Sequence, residues 1–339
     1  MTGKERIMAM ISNSPLDRLP LMPVTMMIAA DEIGVPYGKY ATDYKLHARG
    51  QLAIAEHYDL DYVSAISDPG VEAHDFGANI KFYEDQPPAV DEENALLKDK
   101  TVLTTLNPPS SENGKRMSNR LHVVERLKEL VGEEKMVEGW VEGPCAEASD
   151  IRGINRIMMD FYDDPDFIRD LFEFITEREI EFALAQVEAG ADMIGIGDAA
   201  ASLIGPRLYN DVVWEFEKRY VDAIHEKGGM VRIHICGNTT DIVDGMTRLG
   251  AEILDIDSLA PFDKARGDAG PEQVLLGNID PVRVLRDGTP FSVMKEIETC
   301  WNQAKPNYIV GAGCEVPRDT PEENMMALTQ FARSIPSPF

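Results

Sequence analysis

Eight runs of strand length, rich in apolar and β-branched residues, recur along this 339-residue chain with helix-like segments between most of them. The runs are Leu19–Met26, Asp61–Ile66, Met136–Val141, Ala191–Ile196, Met230–Ile235, Glu252–Ile256, Gln273–Leu276 and Asn307–Val310. Strands that alternate with helices build a mostly parallel sheet, because a parallel return needs a crossover and the helix supplies it. Eight such units predict an α/β fold of the (β/α)8 class, a TIM barrel with its helices outside, as a single domain over residues 1–339. An open doubly wound sheet is the competing architecture, but the glycine-rich dinucleotide turn is missing after the first strand.

Two helices carry clear end signals. Asp164 suits an N-cap and Pro165 the first helical position. Phe167, Ile168, Leu171, Phe172, Ile175, Phe182 and Val187 then recur at roughly helical spacing until Gly190 stops the run. Thr320-Pro321-Glu322-Glu323 reads as a capping box that opens the last helix. Residues 67–118 break the rhythm, being long, polar and rich in Pro, Asn and Asp. They are read as an insertion after the second strand, holding a β-hairpin between Asn79–Tyr83 and Ala95–Leu106 and placed to cover the barrel mouth.

The bulk numbers exclude several functions. A net charge of −26 repels phosphate backbones and anionic lipid, so neither nucleic acid nor a membrane surface is an expected partner. No apolar run approaches the ~20 residues needed to span a bilayer. Met1–Arg6 leads into a short amphipathic stretch rather than a signal peptide, so a cytoplasmic location is expected. Four cysteines in a chain this long are no disulfide framework, and reduced thiols are free to bind metal.

In a barrel of this class the chemistry sits at the C-terminal ends of the strands. Those ends read Glu142-Gly143-Pro144-Cys145, Gly197-Asp198, His234-Ile235-Cys236-Gly237-Asn238, Asp255-Ile256-Asp257, Gly277-Asn278-Ile279-Asp280-Pro281 and Gly311-Ala312-Gly313-Cys314-Glu315. Positions i and i+2 of a strand point the same way, so His234 and Cys236 present an imidazole and a thiol side by side. Cys314 arrives from the end of the eighth strand. One nitrogen and two sulfurs suit tetrahedral zinc, and three protein ligands leave a fourth position open for catalysis. Cys145 also lies at a strand end and is a substitute ligand; Cys300 falls within a helix and reads as packing.

At these residues the sequence resembles the uroporphyrinogen decarboxylase superfamily over nearly its whole length. Thr2-x-Lys4-Glu5-Arg6, Asp17-Arg18-x-Pro20 and Gly277-Asn278-Ile279-Asp280-Pro281 are similar to features of the superfamily as a whole. His234-x-Cys236-Gly237-Asn238 and Gly313-Cys314 look like the zinc ligands of its corrinoid-dependent methyltransferase branch, which the decarboxylases lack. The decarboxylases carry an arginine-rich segment near the N-terminus, whereas Leu21–Met27 holds no arginine here. Corrinoid proteins use an Asp-x-His-x-x-Gly motif; the nearest string, Asp222 to Gly228, has one residue too many between Asp and His.

The resemblance therefore implies a zinc-containing methyltransferase that works with a corrinoid (cobalamin) supplied by a separate corrinoid protein. The small-molecule partner is a methyl donor such as a methyl ether, or a thiol acceptor. Glu142 and Asp198 are the candidate catalytic residues, to orient the substrate, to fill the fourth zinc position at rest, or to hydrogen-bond a ligand. Glu315 and Asp257 are weaker candidates, and Asn278 supports the mouth through its turn. A cofactor-free decarboxylase and a non-catalytic barrel that binds a corrinoid protein are the alternatives.

Overall fold

Seven of the eight expected runs form strands, and all of their residues except Met230 are buried. That is the environment of a parallel sheet covered on both faces. The computed structural model describes residues 1–335. In chain order its strands are β1 (Tyr62–Ser64), β2 (Ile80–Lys81), β3 (Ala89–Val90), β4 (Met136–Glu142), β5 (Met193–Gly197), β6 (Met230–Ile235), β7 (Ile253–Ile256), β8 (Val274–Ile279) and β9 (Tyr308–Ala312). β2 and β3 make a small antiparallel hairpin. The other seven form one parallel sheet in the order β1-β4-β5-β6-β7-β8-β9, each next to its neighbour in sequence, with helices in the connections.

The first expected strand, Leu19–Met26, is a correction: it is reduced to a single bridge between Leu21 and Val310. Pro20 and Pro23 explain this, because neither has an N–H to offer a ladder. The segment still spans the gap between the two sheet edges. On the β9 side Met22 N–H donates to Val310 O at 2.9 Å and Val310 N–H donates to Pro20 O at 2.9 Å. On the β1 side Asp61 N–H donates to Leu21 O at 3.1 Å. The Asp61 carboxylate completes the join. It accepts from Leu21 N–H at 2.7 Å and from Arg18 Nη1 at 2.9 Å, and it also pairs with Arg6.

Two further expectations change in detail. The hairpin pairs Ile80–Lys81 with Ala89–Val90, not with Ala95–Leu106. The Pro87-Pro88 pair ends the turn directly before the returning arm, and much of 95–106 winds into a 3-10 helix, Lys100–Thr105. Of residues 67–118, the last part already belongs to the helix Lys115–Val131 that returns the chain to β4. The last helix runs Glu322–Ser334 without a capping box, since Pro321 occupies the cap and makes no side-chain cap bond. The helix Pro165–Glu188 forms as its end signals imply, with Asp164 accepting from Phe167 N–H at 3.3 Å. No described helix is long and apolar enough to cross a membrane.

The inner face of the sheet is polar where the outer face is apolar. Along β4, Glu138, Trp140 and Glu142 share one face; along β6, Arg232 and His234 do, and Val231, Ile233 and Ile235 take the other. The helix layer also holds charge. Glu147 and Glu179, on helices Pro144–Arg152 and Pro165–Glu188, are fully buried, and none of their carboxyl oxygens has a hydrogen-bond partner. Burial pushes both carboxyls well above the ordinary range, with repulsion from Glu179 added at Glu147 and from Glu72 and Glu142 at Glu179.

Two stability measurements test these assignments. Asp61→Asn removes the charge that pins the gap-spanning segment. Its cost is about 3 kcal/mol, the low end for a broken buried pair, because Arg6 keeps Asp17 and Arg18 keeps Asp59. A urea midpoint unchanged from the parent refutes that role. For Glu179 the folded carboxyl holds its proton while the unfolded one ionises near the usual value, so stability falls as pH rises above that value. Glu179→Gln removes this dependence: the variant is more stable than the parent at pH 8, and the gap narrows toward pH 5. A variant less stable at pH 8 shows that the carboxyl is needed in its charged form.

Candidate metal centre

At the C-terminal end of the curled sheet, β6 and the turn after β9 bring three soft donors together. Ligating atoms of His234, Cys236 and Cys314 lie within 4.8 Å of one another, the one such group of His, Cys, Asp and Glu among the described residues. His234 Nε2 is 3.0 Å from Cys236 Sγ, and the two sulfurs are 3.8 Å apart. A tetrahedral ion with metal–sulfur bonds of about 2.3 Å sets its sulfurs about 3.8 Å apart, so the cysteine pair already has the spacing zinc needs. A nitrogen and a sulfur on the same ion lie about 3.6 Å apart, so a small outward movement of the imidazole or the thiol completes the fit.

The local backbone explains why the donors meet. His234 and Cys236 leave β6 on its inner face, and the chain turns at Gly237, whose φ of +95° suits glycine alone among common residues. Asp257 holds this turn, accepting Gly237 N–H at 2.9 Å and Leu259 N–H at 2.8 Å. Asn278 braces the same region by donating to Asp257 O at 3.2 Å and Ala260 O at 2.8 Å.

Behind His234 runs a buried chain of charge. Asp255 Oδ2 lies 3.0 Å from His234 Nδ1 and accepts from Arg232 Nη2 at 2.6 Å. Arg232 Nη1 in turn meets Glu138 at 3.1 Å. A carboxylate this close favours the proton on Nδ1 and Nε2 as the metal-facing nitrogen, although the contact is an ion pair and not an aligned hydrogen bond. Burial alone lowers the His234 pKa, but Asp255 and Cys236 outweigh it and raise it well above the usual value. The hydrogen bond from Cys236 holds the Cys314 thiol down at about 4, and the same bond, with burial, pushes Cys236 up. The pair thus shares one proton and one negative charge, and a bound metal would displace that proton.

The donors open into a cavity of about 220 Å³. Val24, Met26, Ile66 and Trp140 form its apolar walls, and Glu142, Glu315 and Asp68 also reach it. Trp140 lies flat against β5: a side chain at Gly195 or Gly197 would come within 2.3 or 2.7 Å of its ring. Glu142 lines the cavity and accepts from Trp140 Nε1 at 3.1 Å. Burial, then Glu72 and Asp150, push its carboxyl well above the ordinary range.

Asp198 is placed differently. It is fully buried, does not line the cavity, and accepts from Ala146 N–H at 2.6 Å in the first turn of the helix Pro144–Arg152. Burial raises it to about 7. Its geometry is that of a brace for the β4 and β5 loops. Glu315 lines the cavity, with Oε1 accepting from Met27 N–H at 3.1 Å, whereas Asp257 works on the turn. Cys145 is buried in that same helix and stands outside the ligand group; Cys300 is buried in the helix Pro290–Ala304. Arg232, Glu138 and Trp140 lie inside the strands rather than at their ends, and Asp255, though at a strand end, is not among the sequence candidates, which name its neighbour Asp257. The signal for the interior residues is the alternation in Glu-x-Trp-x-Glu and Arg-x-His-x-Cys, which puts polar side chains on every second position of apolar, buried runs.

A parallel curled sheet with a His, Cys, Cys cluster at its C-terminal end defines a TIM-like α/β protein with a candidate catalytic metal centre. The chain belongs to the uroporphyrinogen decarboxylase (URO-D) family, whose model matches residues 2–335. The methylcobamide:CoM methyltransferase MtbA of Methanosarcina mazei is 30% identical to it, over 98% of both chains. The methylcobamide:CoM methyltransferase MtaA of Methanosarcina barkeri is 27% identical over 96% of both. Among solved structures, a methyltransferase from Methanosarcina mazei superposes with a TM-score of 0.86 over 98% of both chains at 24% identity, a likeness of fold.

Metal binding tests the centre directly. One equivalent of zinc per chain is expected, lost in Cys236→Ala and in Cys314→Ala. Asp255→Asn retains the ligands but loosens the imidazole, so competition with a chromogenic chelator should report affinity weaker by about 10–100-fold. Parental affinity in that variant removes Asp255 from the centre.

Proposed function

We propose that this protein is a zinc-dependent methyltransferase that moves a methyl group between a small substrate, a methyl ether or a thiol, and the corrinoid of a separate corrinoid protein. The reading takes it to act in the cytoplasm with no nucleic-acid or membrane partner. The observation that carries it is the His234, Cys236 and Cys314 cluster, two sulfurs 3.8 Å apart, open on one side to a small cavity. Relatives named as methylcobamide:CoM methyltransferases supply the reaction class.

Zinc held there would act as a Lewis acid, favouring the thiolate of a bound thiol or polarising an ether oxygen. The chain's own residues do the rest. Asp255 favours the His234 proton on Nδ1, so Nε2 stays available. The Val24, Met26, Ile66 and Trp140 walls keep water from the reacting groups. Glu142 holds its carboxyl toward the substrate, fixed by Trp140 Nε1. Asp198 acts on the loop that carries Gly143 and Ala146 rather than on the substrate. A cavity of about 220 Å³ is smaller than the ~300–1,000 Å³ of drug-sized sites, so the metal-side substrate has few heavy atoms.

The macrocycle has to approach from outside, over the rim. Leu203 and Leu259 are about two-thirds exposed, 65% and 64%, in the loops that follow β5 and β7. Both flank the Cys236-Gly237 turn: Ser202 abuts Gly237, and Asp257 binds Gly237 and Leu259 together. Exposed leucines beside a metal centre suit a protein surface that docks there.

Two assays check the reading. Zinc-loaded protein is given methylcobalamin with a panel of thiols, and separately cob(I)alamin with methoxylated aromatics. Methyl transfer in one panel, absent in Cys314→Ala, supports it, and inertness in both refutes it. With a corrinoid protein as partner, Leu203→Asp with Leu259→Asp should cut transfer at least ~10-fold while turnover of free methylcobalamin persists. Equal losses in both formats place the leucines in the chemistry rather than the docking.

A further inference from the structure

Apart from the candidate ligand His234, the walls of the metal cavity carry acid and no base. Among the described residues, no lysine or arginine lines it, whereas Asp68, Glu142 and Glu315 do. The three carboxyls are not equivalent. Asp68 is spent: Arg116 grips both of its oxygens, at 2.8 and 2.7 Å. Glu142 and Glu315 are engaged through one oxygen each, by Trp140 Nε1 and Met27 N–H, and their second oxygens have no partner among the described residues.

The three guanidiniums that bond to residues around the cavity, Arg116, Arg120 and Arg232, are each paired with a buried carboxylate. Arg116 also donates to Ala41 O at 3.0 Å. Arg120 is bound by Glu72 at 2.9 Å and by Trp140 O at 3.1 Å. Arg232 is held between Glu138 and Asp255. None of them can turn to a ligand without leaving a buried carboxylate unpaired, which is strongly unfavourable. A divalent ion offers no spare charge either: two thiolates and a neutral imidazole already balance it. A second anionic group on the substrate would enter a small, largely apolar space with nothing to pair with. The net charge of −26 adds repulsion at long range.

We infer that this site takes a small substrate with no anionic group apart from its metal-facing atom, a neutral or ammonium-bearing molecule whose hydrogen-bond donors meet Glu142 and Glu315. The inference rests on the preceding reading that a small molecule places one atom at the metal. In either protonation state a glutamate can hydrogen-bond such a ligand, whereas neither state brings the positive charge that a sulfonate or carboxylate requires.

Three two-carbon thiols that differ only at the far end separate the possibilities: cysteamine, 2-mercaptoethanol and 2-mercaptoethanesulfonate. Calorimetric titration of the zinc-loaded protein at pH 7, with metal-free protein as control, gives their affinities without any need for turnover. The sulfonate is expected to bind at least ~10-fold more weakly than cysteamine, the scale of one charge-assisted hydrogen bond. In Glu142→Gln and Glu315→Gln the ratio of cysteamine to mercaptoethanol affinity should fall. Equal affinities, tighter binding of the sulfonate, or no binding by any of the three overturns the inference. If the affinity order holds but neither the thiols nor the methoxylated aromatics show methyl transfer, the catalytic reading fails and this one stands.

Discussion

A single buried file of charge, from Glu138 through Arg232 and Asp255 to His234, ties the sheet to its chemistry. It crosses three strands inside a sheet whose other face is packed with aliphatic side chains. Four ionisable groups in such a place are tolerable only as a closed sequence of partners, because any one of them alone would be an unpaired buried charge. The file therefore fixes which face of β4, β6 and β7 points inward. It also sets the imidazole angle, and with it the direction in which Nε2 faces.

The same logic explains the neighbourhood. A tryptophan is too large to share the inner face with side chains opposite, so β5 presents Gly195 and Gly197 beneath Trp140. The ring becomes a wall of the cavity and its Nε1 aims Glu142. Arg116 and Arg120, which stand behind the wall, are consumed by Asp68 and Glu72. Arg116, Arg120 and Arg232 are used to hold the scaffold, and no described lysine or arginine lines the cavity.

Much of this was legible in residue order, and for particular reasons. The strand runs could be read because apolar and β-branched residues dominate each of them over strand length, even where charge alternates with them on one face. Leu19–Met26 looked like another one, but Pro20 and Pro23 remove two ladder donors, so only the bond pattern of the neighbours shows that the segment bridges the sheet edges. His234 and Cys236 could be paired by strand periodicity. Asp198 looked like a site residue for the sound reason that it ends a strand, yet its side chain points to a helix N-terminus. Thr320 looked like a cap for the similar reason of spacing, and Pro321 took the position instead.

Sequence alone determined the alternating α/β plan, the polarity of the strand ends and the identity of three soft donors, since each follows from local periodicity and side-chain type. Tertiary structure alone decided that Cys314 stands 3.8 Å from Cys236, that Asp255 rather than Asp257 backs His234, and that no described lysine or arginine lines the cavity. Those are facts of register and through-space distance between residues tens of positions apart. Local preferences carry no information about them until the strands have packed.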